Sequence, residues 1–226
     1  LSYLCLQSLL EFADVSYELI IVDNNSTDET TALLDKIDNA TIIRNVENLG
    51  FVKAVNQAAE LATGEYILLL NNDALIEKNT LSNALQVIES DESIGAVGAK
   101  IKLLDDSTQE AGSIIFSDGA CLGYGRGKPT DSYEFMFQRD VDYCSGAFLL
   151  FRNSSFKALG GFDLDYAPAY YEESDFCIRL QKRGLRIVYV PTSQITHYEF
   201  ASSGGIQAAK ILQAEHQQLL CIKHAD

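Results

Sequence analysis

Basic side chains are scarce in this sequence. Lys and Arg total 17 against 32 Asp and Glu, a formal charge of −15. That balance argues against a nucleic-acid backbone as partner and against broad adhesion to anionic lipid. One local basic run, RLQKRGLR from Arg179 to Arg186, reads as a solvated helix face, with a phosphate or headgroup contact as its second reading. Cysteine pairs are missing too. The five cysteines, at 5, 121, 144, 177 and 221, form an odd set without a CxxC. A zinc cage or disulfide framework is therefore not expected, and the thiols should be reduced and mostly buried. No apolar run reaches the length of a membrane span, and no signal-peptide pattern opens the chain. HExxH is absent, and no GxGxxG follows the first strand. The Gly-rich GYGRGK (123–128) fails as a phosphate loop, because Leu122 stands where Gly is needed and Pro129 where Ser or Thr is needed.

What is present suits a globular domain. The 226 residues are 47% hydrophobic and 22% charged, which fits one domain over 1–226. LSYLCLQSLLEF at the start has apolar spacing near 3.6 and reads as a helix; with no strand before it, the chain is expected to start inside a fold. Strands are expected at Tyr17–Val22, Thr41–Arg44 and Glu65–Leu70. Helices are expected from about Asp28, with Ser26 and Glu29 as a capping box, then over Phe51–Ala62 and Asn79–Ser90. That alternation implies βαβ units and a parallel sheet. Beyond it come strands at Ile94–Leu104 and Val141–Phe151, the latter interrupted at Ser145-Gly146. Residues 105–140 lack helical period and read as a hairpin-bearing loop region. A helix over Glu172–Arg183, short strands Leu185–Val190 and Gln194–His197 around Pro191, and a terminal amphipathic helix Ile206–Lys223 complete the reading.

Four clusters could carry chemistry. Asp23-Asn24-Asn25-Ser26-Thr27-Asp28 lies between a strand and a helix, where short polar groups suit a nucleobase and ribose; a cap and turn is the plainer reading. Asn71-Asn72-Asp73 ends the strand ILLL, and one carboxylate beside amides suits Mg²⁺ or Mn²⁺ holding phosphates; a polar strand end is the alternative. Glu172, Glu173 and Asp175 crowd a helix start after Tyr170 and Tyr171. The helix dipole alone would favour them there, yet crowding under aromatic cover can raise a carboxylate into a general base's working range. Of three histidines, His197 follows a strand end and is a candidate metal ligand, whereas His216 and His224 fall on the terminal helix and should lie at the surface.

Taken in order, VDNNSTDET (22–30), NLGFVKAVNQA (48–58), GEYILLLNNDA (64–74), CSGAFLLFR (144–152), GGFDLDY (160–166), YYEESDFCIRLQKRGLRIVYVP (170–191) and ITHYE (195–199) resemble the family 2 glycosyltransferases, within them the rhamnosyltransferase-like enzymes of surface-polysaccharide synthesis. The resemblance covers most of the chain and is weakest over 105–140. It implies an α/β GT-A (Rossmann-like) fold, a mixed, mainly parallel sheet flanked by helices, with the family's first strand expected before Leu1. It implies a nucleotide-sugar-binding half over 1–100 and an acceptor-binding half over 101–226. Asp23 and Asn25 would contact the nucleoside, with Asp28 beside them and Lys53 near the diphosphate. Asn71-Asn72-Asp73 stands at the family's DxD motif, so Asp73 would be the principal ligand of Mg²⁺ or Mn²⁺, with His197 as a further one. Asn71 replaces the first acid of that motif. Glu173 stands at the usual base position, with Glu for Asp and with Glu172 and Asp175 as rivals. The implied activity is inverting, metal-dependent hexosyl or rhamnosyl transfer from a UDP- or dTDP-sugar to a glycan or lipid-linked saccharide. The implied setting is the cytoplasm, with peripheral association at the inner membrane face left open. The alternative is a degenerate, non-catalytic GT-A binding module of a larger assembly.

Overall fold

The computed structural model describes residues 1–199 and 206–225. The opening apolar stripe forms α1 (Ser2–Phe12), which buries Cys5, Ser8 and Leu9. β1 (Leu19–Asp23), α2 (Thr30–Leu34) and β2 (Ala40–Arg44) follow, and β1 and β2 pair in parallel as a ribbon of their own. The capping box does not form. Glu29 is the N-cap residue but makes no side-chain cap bond, and the Ser26 N–H goes to Asp23 Oδ1 instead.

After α3 (Phe51–Leu61) the chain enters a second sheet of seven strands. Its main path runs β3 (Tyr66–Leu70), β10 (Phe148–Arg152), β5 (Ile94–Lys102), β11 (Arg186–His197), β4 (Ala74–Ile76). β3 and β5 are each antiparallel to β10, so they share a direction, and β11 runs parallel to β5. The sheet is therefore mixed, with its long strands aligned. Short strands β6 (Thr108–Glu110) and β9 (Arg139–Val141) pair with β5 and β11, while β7 (Ser113–Ile115) and β8 (Cys121–Gly123) make the hairpin expected within 105–140.

Alternation along the strands sorts the core into two layers. Phe148 and Leu150 of β10 face one way, with Val97, Val188, Ile195 and the Ile88 side of α4 (Thr80–Ser90). Leu149 and Phe151 face the other way, against α3, α5 (Asn153–Leu159) and α6 (Glu172–Gln181). There Phe151, Phe156, Phe162 and Phe176 form a ring cluster with centroids 5.0 to 5.7 Å apart. Helices thus cover both faces of the sheet, the arrangement of an α/β domain. α7 (Ile206–Lys223) follows, with Leu220 in the second layer. All five cysteines are free.

Two elements differ from the sequence reading. The two strands expected around Pro191 are one strand, β11, whose register against β5 slips between Val190 and Gln194. Pro191 sits in that slip, where a missing N–H removes no ladder bond. The basic run at 179–186 is solvent-exposed at Lys182 and Arg183, as expected, but its two ends are tied to acids. Arg179 pairs with Asp175, and Arg186 pairs with Asp91 and Asp140.

Candidate active site

The carboxyl end of β3 runs into Asn71, and a tight turn, with the Ala74 N–H on the Asn71 carbonyl, sends the chain into β4. β4 pairs antiparallel with the end of β11, placing Ala74 opposite His197. The sheet register thereby brings two residues 124 positions apart into contact: Asp73 Oδ1 lies 3.0 Å from His197 Nε2, and both side chains are buried. Asn71 Nδ2 stands 3.4 Å from the same ring nitrogen. The other ring nitrogen, Nδ1, is 2.9 Å from Gln109 Oε1. Asn72 turns away and donates to Ser2 Oγ at the surface.

A carboxylate and an imidazole converging in a buried corner are a fitting donor pair for Mg²⁺ or Mn²⁺. Such cations take few protein ligands and complete their shell with water and phosphate oxygens. Among the described residues no cluster of three or more His, Cys, Asp or Glu side chains forms a fuller cage.

A second carboxylate group gathers where α6 begins. Tyr170 and Tyr171 both take left-handed backbone, φ 75° and 72°, which turns the chain into the helix. Glu172 and Glu173 follow, each with one buried oxygen, Oε2, that no group within the described residues bonds. Burial pushes both carboxyls up, Glu172 further because Glu173 repels it. Backbone N–H groups, that of Gly146 among them, partly offset the rise at Glu173. Asp175, expected as a rival base, is an anchor instead. One oxygen accepts from Arg179 Nε at 2.6 Å and the other meets His224 Nε2 at 2.8 Å. His224 is thus a partner of α6 rather than a surface residue. His216 is buried as well, 2.8 Å from the Tyr170 carbonyl through Nδ1.

The sequence reading missed Gln109 and Glu110 of β6. Glu110 is buried, and its Oε1 accepts the Ser145 N–H at 2.9 Å. Burial pushes its carboxyl up to about 7, and the nearby Glu173 charge adds to the rise. The only signal available was a Gln-Glu pair in an aperiodic segment.

The candidate nucleoside residues keep their own network. Asp23, at the end of β1, is buried and accepts the Ser26 N–H at 2.9 Å, while Asn25 takes φ 65°. Asn24 joins three elements, accepting from Asn45 Nδ2 at 2.8 Å and donating to the Gly50 carbonyl at 3.1 Å. Asp28 lies at the start of α2, where hydrogen bonding from the Thr30 side chain and then its N–H lowers its carboxyl. Lys53 is exposed on α3, in a groove shared with Asn56, Gln57, Lys157 and Arg179.

These strands, helices and strand-end acids define a GT-A glycosyltransferase domain. Residues 3–160 match the glycosyl transferase family 2 profile, and the chain belongs to that family. It is 30% identical over 222 residues to the N-acetylglucosaminyl-diphospho-decaprenol L-rhamnosyltransferase of Mycobacterium tuberculosis, covering 88% of this chain and 72% of that protein. It is 29% identical over 198 residues to the rhamnosyltransferase WbbL of Escherichia coli K12, covering 82% of this chain and 74% of that one. In fold it is similar to GalNAc-T7 solved with UDP, GalNAc and Mn²⁺ (TM-score 0.70, 15% identity, 85% of this chain and 40% of that one). It also resembles a mannosyltransferase of Pyrobaculum calidifontis with GDP-Man and Mn²⁺ (TM-score 0.67, 24% identity, 97% and 58%). The chain spans well under two thirds of some proteins it resembles, including 22% of an uncharacterised Sinorhizobium fredii protein to which it is 23% identical.

Proposed function

We propose that this domain transfers a hexosyl or rhamnosyl group, with inversion, from a UDP- or dTDP-sugar to a hydroxyl of a glycan or lipid-linked saccharide in surface-polysaccharide synthesis. The observation that carries the reading is the Asp73–His197 pair, 3.0 Å apart at the strand ends. The similarity to rhamnosyltransferases supports the sugar class, and the similarity to transferases solved with Mn²⁺ and UDP or GDP-Man supports a metal-assisted nucleotide-sugar donor.

In this reading Asp23, Asn25 and Asp28 line the nucleoside end, with Lys53, Asn71 and Asn72 toward the diphosphate. Asp73 and His197 would hold Mg²⁺ or Mn²⁺, which supplies positive charge against the leaving diphosphate. Glu173 is the base: its carboxylate takes the proton of the acceptor hydroxyl. The acceptor oxygen bonds to the anomeric carbon as the bond from that carbon to the diphosphate oxygen breaks, and the electron pair leaves with the diphosphate. Glu172 lies beside it, its carboxyl pushed up by burial and by the Glu173 charge. Among the described residues no helix is long and apolar enough to cross a membrane.

Glu173→Gln tests the chemistry. Turnover should fall by roughly two to four decades with donor binding retained, the scale of a lost general base. Undiminished turnover in that variant would refute the assignment. A non-catalytic binding module would instead bind the donor and form no product in either protein.

A further inference from the structure

We propose that Gln109 is a positioning residue for His197, fixing which ring nitrogen faces Asp73. The inference rests on the reading of Asp73 and His197 as cation ligands.

Gln109 is buried, with 8% of its surface exposed, in a segment with no helical or strand period. Its place comes from a bulge. On β5, Ile101 and Lys102 are consecutive; on β6 their partners are Glu110 and Thr108. Gln109 is the extra residue between them. A bulge frees a side chain from strict alternation and re-aims it. Here the same stretch of β5 pairs on its other edge with β11, Ile101 against Ile195 and Lys102 against Thr196. The bulged residue is thus one strand away from the segment that ends in His197, and its Oε1 reaches Nδ1 at 2.9 Å.

A carbonyl oxygen only accepts. Facing Nδ1, it requires the proton there, so in the neutral ring Nε2 keeps its lone pair toward Asp73. That is the state a cation between Asp73 and Nε2 needs. The amide nitrogen in the same place would do the reverse: it would donate to Nδ1 and move the ring proton to Nε2, toward the Asp73 carboxylate. Gln109 therefore decides whether this corner presents two lone pairs or a closed hydrogen bond. Its neighbour Glu110 holds the Ser145 N–H, so one bulge supports both the cation corner and the turn beside Glu173.

The test is Mn²⁺ titration of the whole chain and of Gln109→Leu, Gln109→Glu, Asp73→Ala and His197→Ala, each checked by thermal melting. Loss of such an outer partner should weaken Mn²⁺ binding about 10- to 100-fold in Gln109→Leu, while Gln109→Glu, which keeps an acceptor facing Nδ1, restores it. Mn²⁺ binding by Gln109→Leu equal to that of the unaltered protein, with Asp73→Ala weakened, overturns the inference. Equal binding by the unaltered protein, Asp73→Ala and His197→Ala overturns the cation-site reading instead. If Gln109→Leu does not fold, the ¹H–¹⁵N spectrum of the imidazole in the cation-free unaltered protein, at a pH where the ring is neutral, decides: a proton on Nδ1 supports the inference, and a proton on Nε2 ends it.

Discussion

Glu110 is a carboxyl held out of water with a single backbone donor, and its pKa near 7 has a consequence for stability. The folded value lies above the usual 4.5, so the folded chain holds this proton more tightly than the unfolded chain does. Its contribution is favourable below about 4.5 and is lost as pH rises through about 7. The span corresponds to about 3 kcal/mol. Glu110→Gln keeps an acceptor for Ser145 but cannot ionise. Urea unfolding should show the variant gaining stability over the unaltered protein as pH rises through that window; parallel curves would contradict the shift. Asp73 and His197 stand out in the sequence because both follow strand ends, and the sheet register brings their side chains within 3.0 Å of each other. Gln109 and Glu110 do not, because a bulge is a property of two strands together. Asp175 looked like a base because its second partner, His224, lies 49 residues away, although Arg179 one turn on was in plain view.

Elements with a strong period were read within two residues of their ends, as with α3 and α4. β4 has three residues and α5 follows β10 without a turn, so neither left a pattern to find. Asn153, at the start of α5, spends its side chain on the carbonyls of Ala62 and Gly64 rather than on a cap. The entry to α3 is more exacting. Gly50 has φ 81°, and a Cβ there would lie 2.5 Å from the Pro168 Cβ and 2.8 Å from its carbonyl oxygen. Gly50→Ala should cost about 2–4 kcal/mol in denaturant unfolding, from backbone strain plus overpacking. α7 braces the approach to α6: His216 Nδ1 meets the Tyr170 carbonyl at 2.8 Å, and Lys223 pairs with Asp163 and Asp165. His216→Ala removes one such bond, about 1 kcal/mol, next to Glu172 and Glu173. The expected result is lower turnover with unchanged Mn²⁺ affinity; weakened Mn²⁺ binding would place the effect elsewhere.

At the scale of the molecule, a formal charge of −15 bears on any diphosphate ligand. A dianion approaching this acidic surface needs a counter-charge, so chelation of divalent cations should abolish donor binding and turnover, and Mn²⁺ should restore both. Donor binding that persists in EDTA would contradict this. The architecture also sets a mechanical contrast. Among the described residues β1 and β2 form strand ladders only with each other, whereas β5 is laced between β10 and β11. Besides side-chain bonds such as Glu18 to the Thr63 and Gly64 amides, little ladder ties that ribbon down. An isolated pair of strands is barely self-sustaining. In deuterium oxide, therefore, amides of Ile20–Val22 and Thr41–Ile43 should trade their protons long before those of Val97 or Val188, so that the end carrying Asp23 breathes while the floor under Asp73 stays shut.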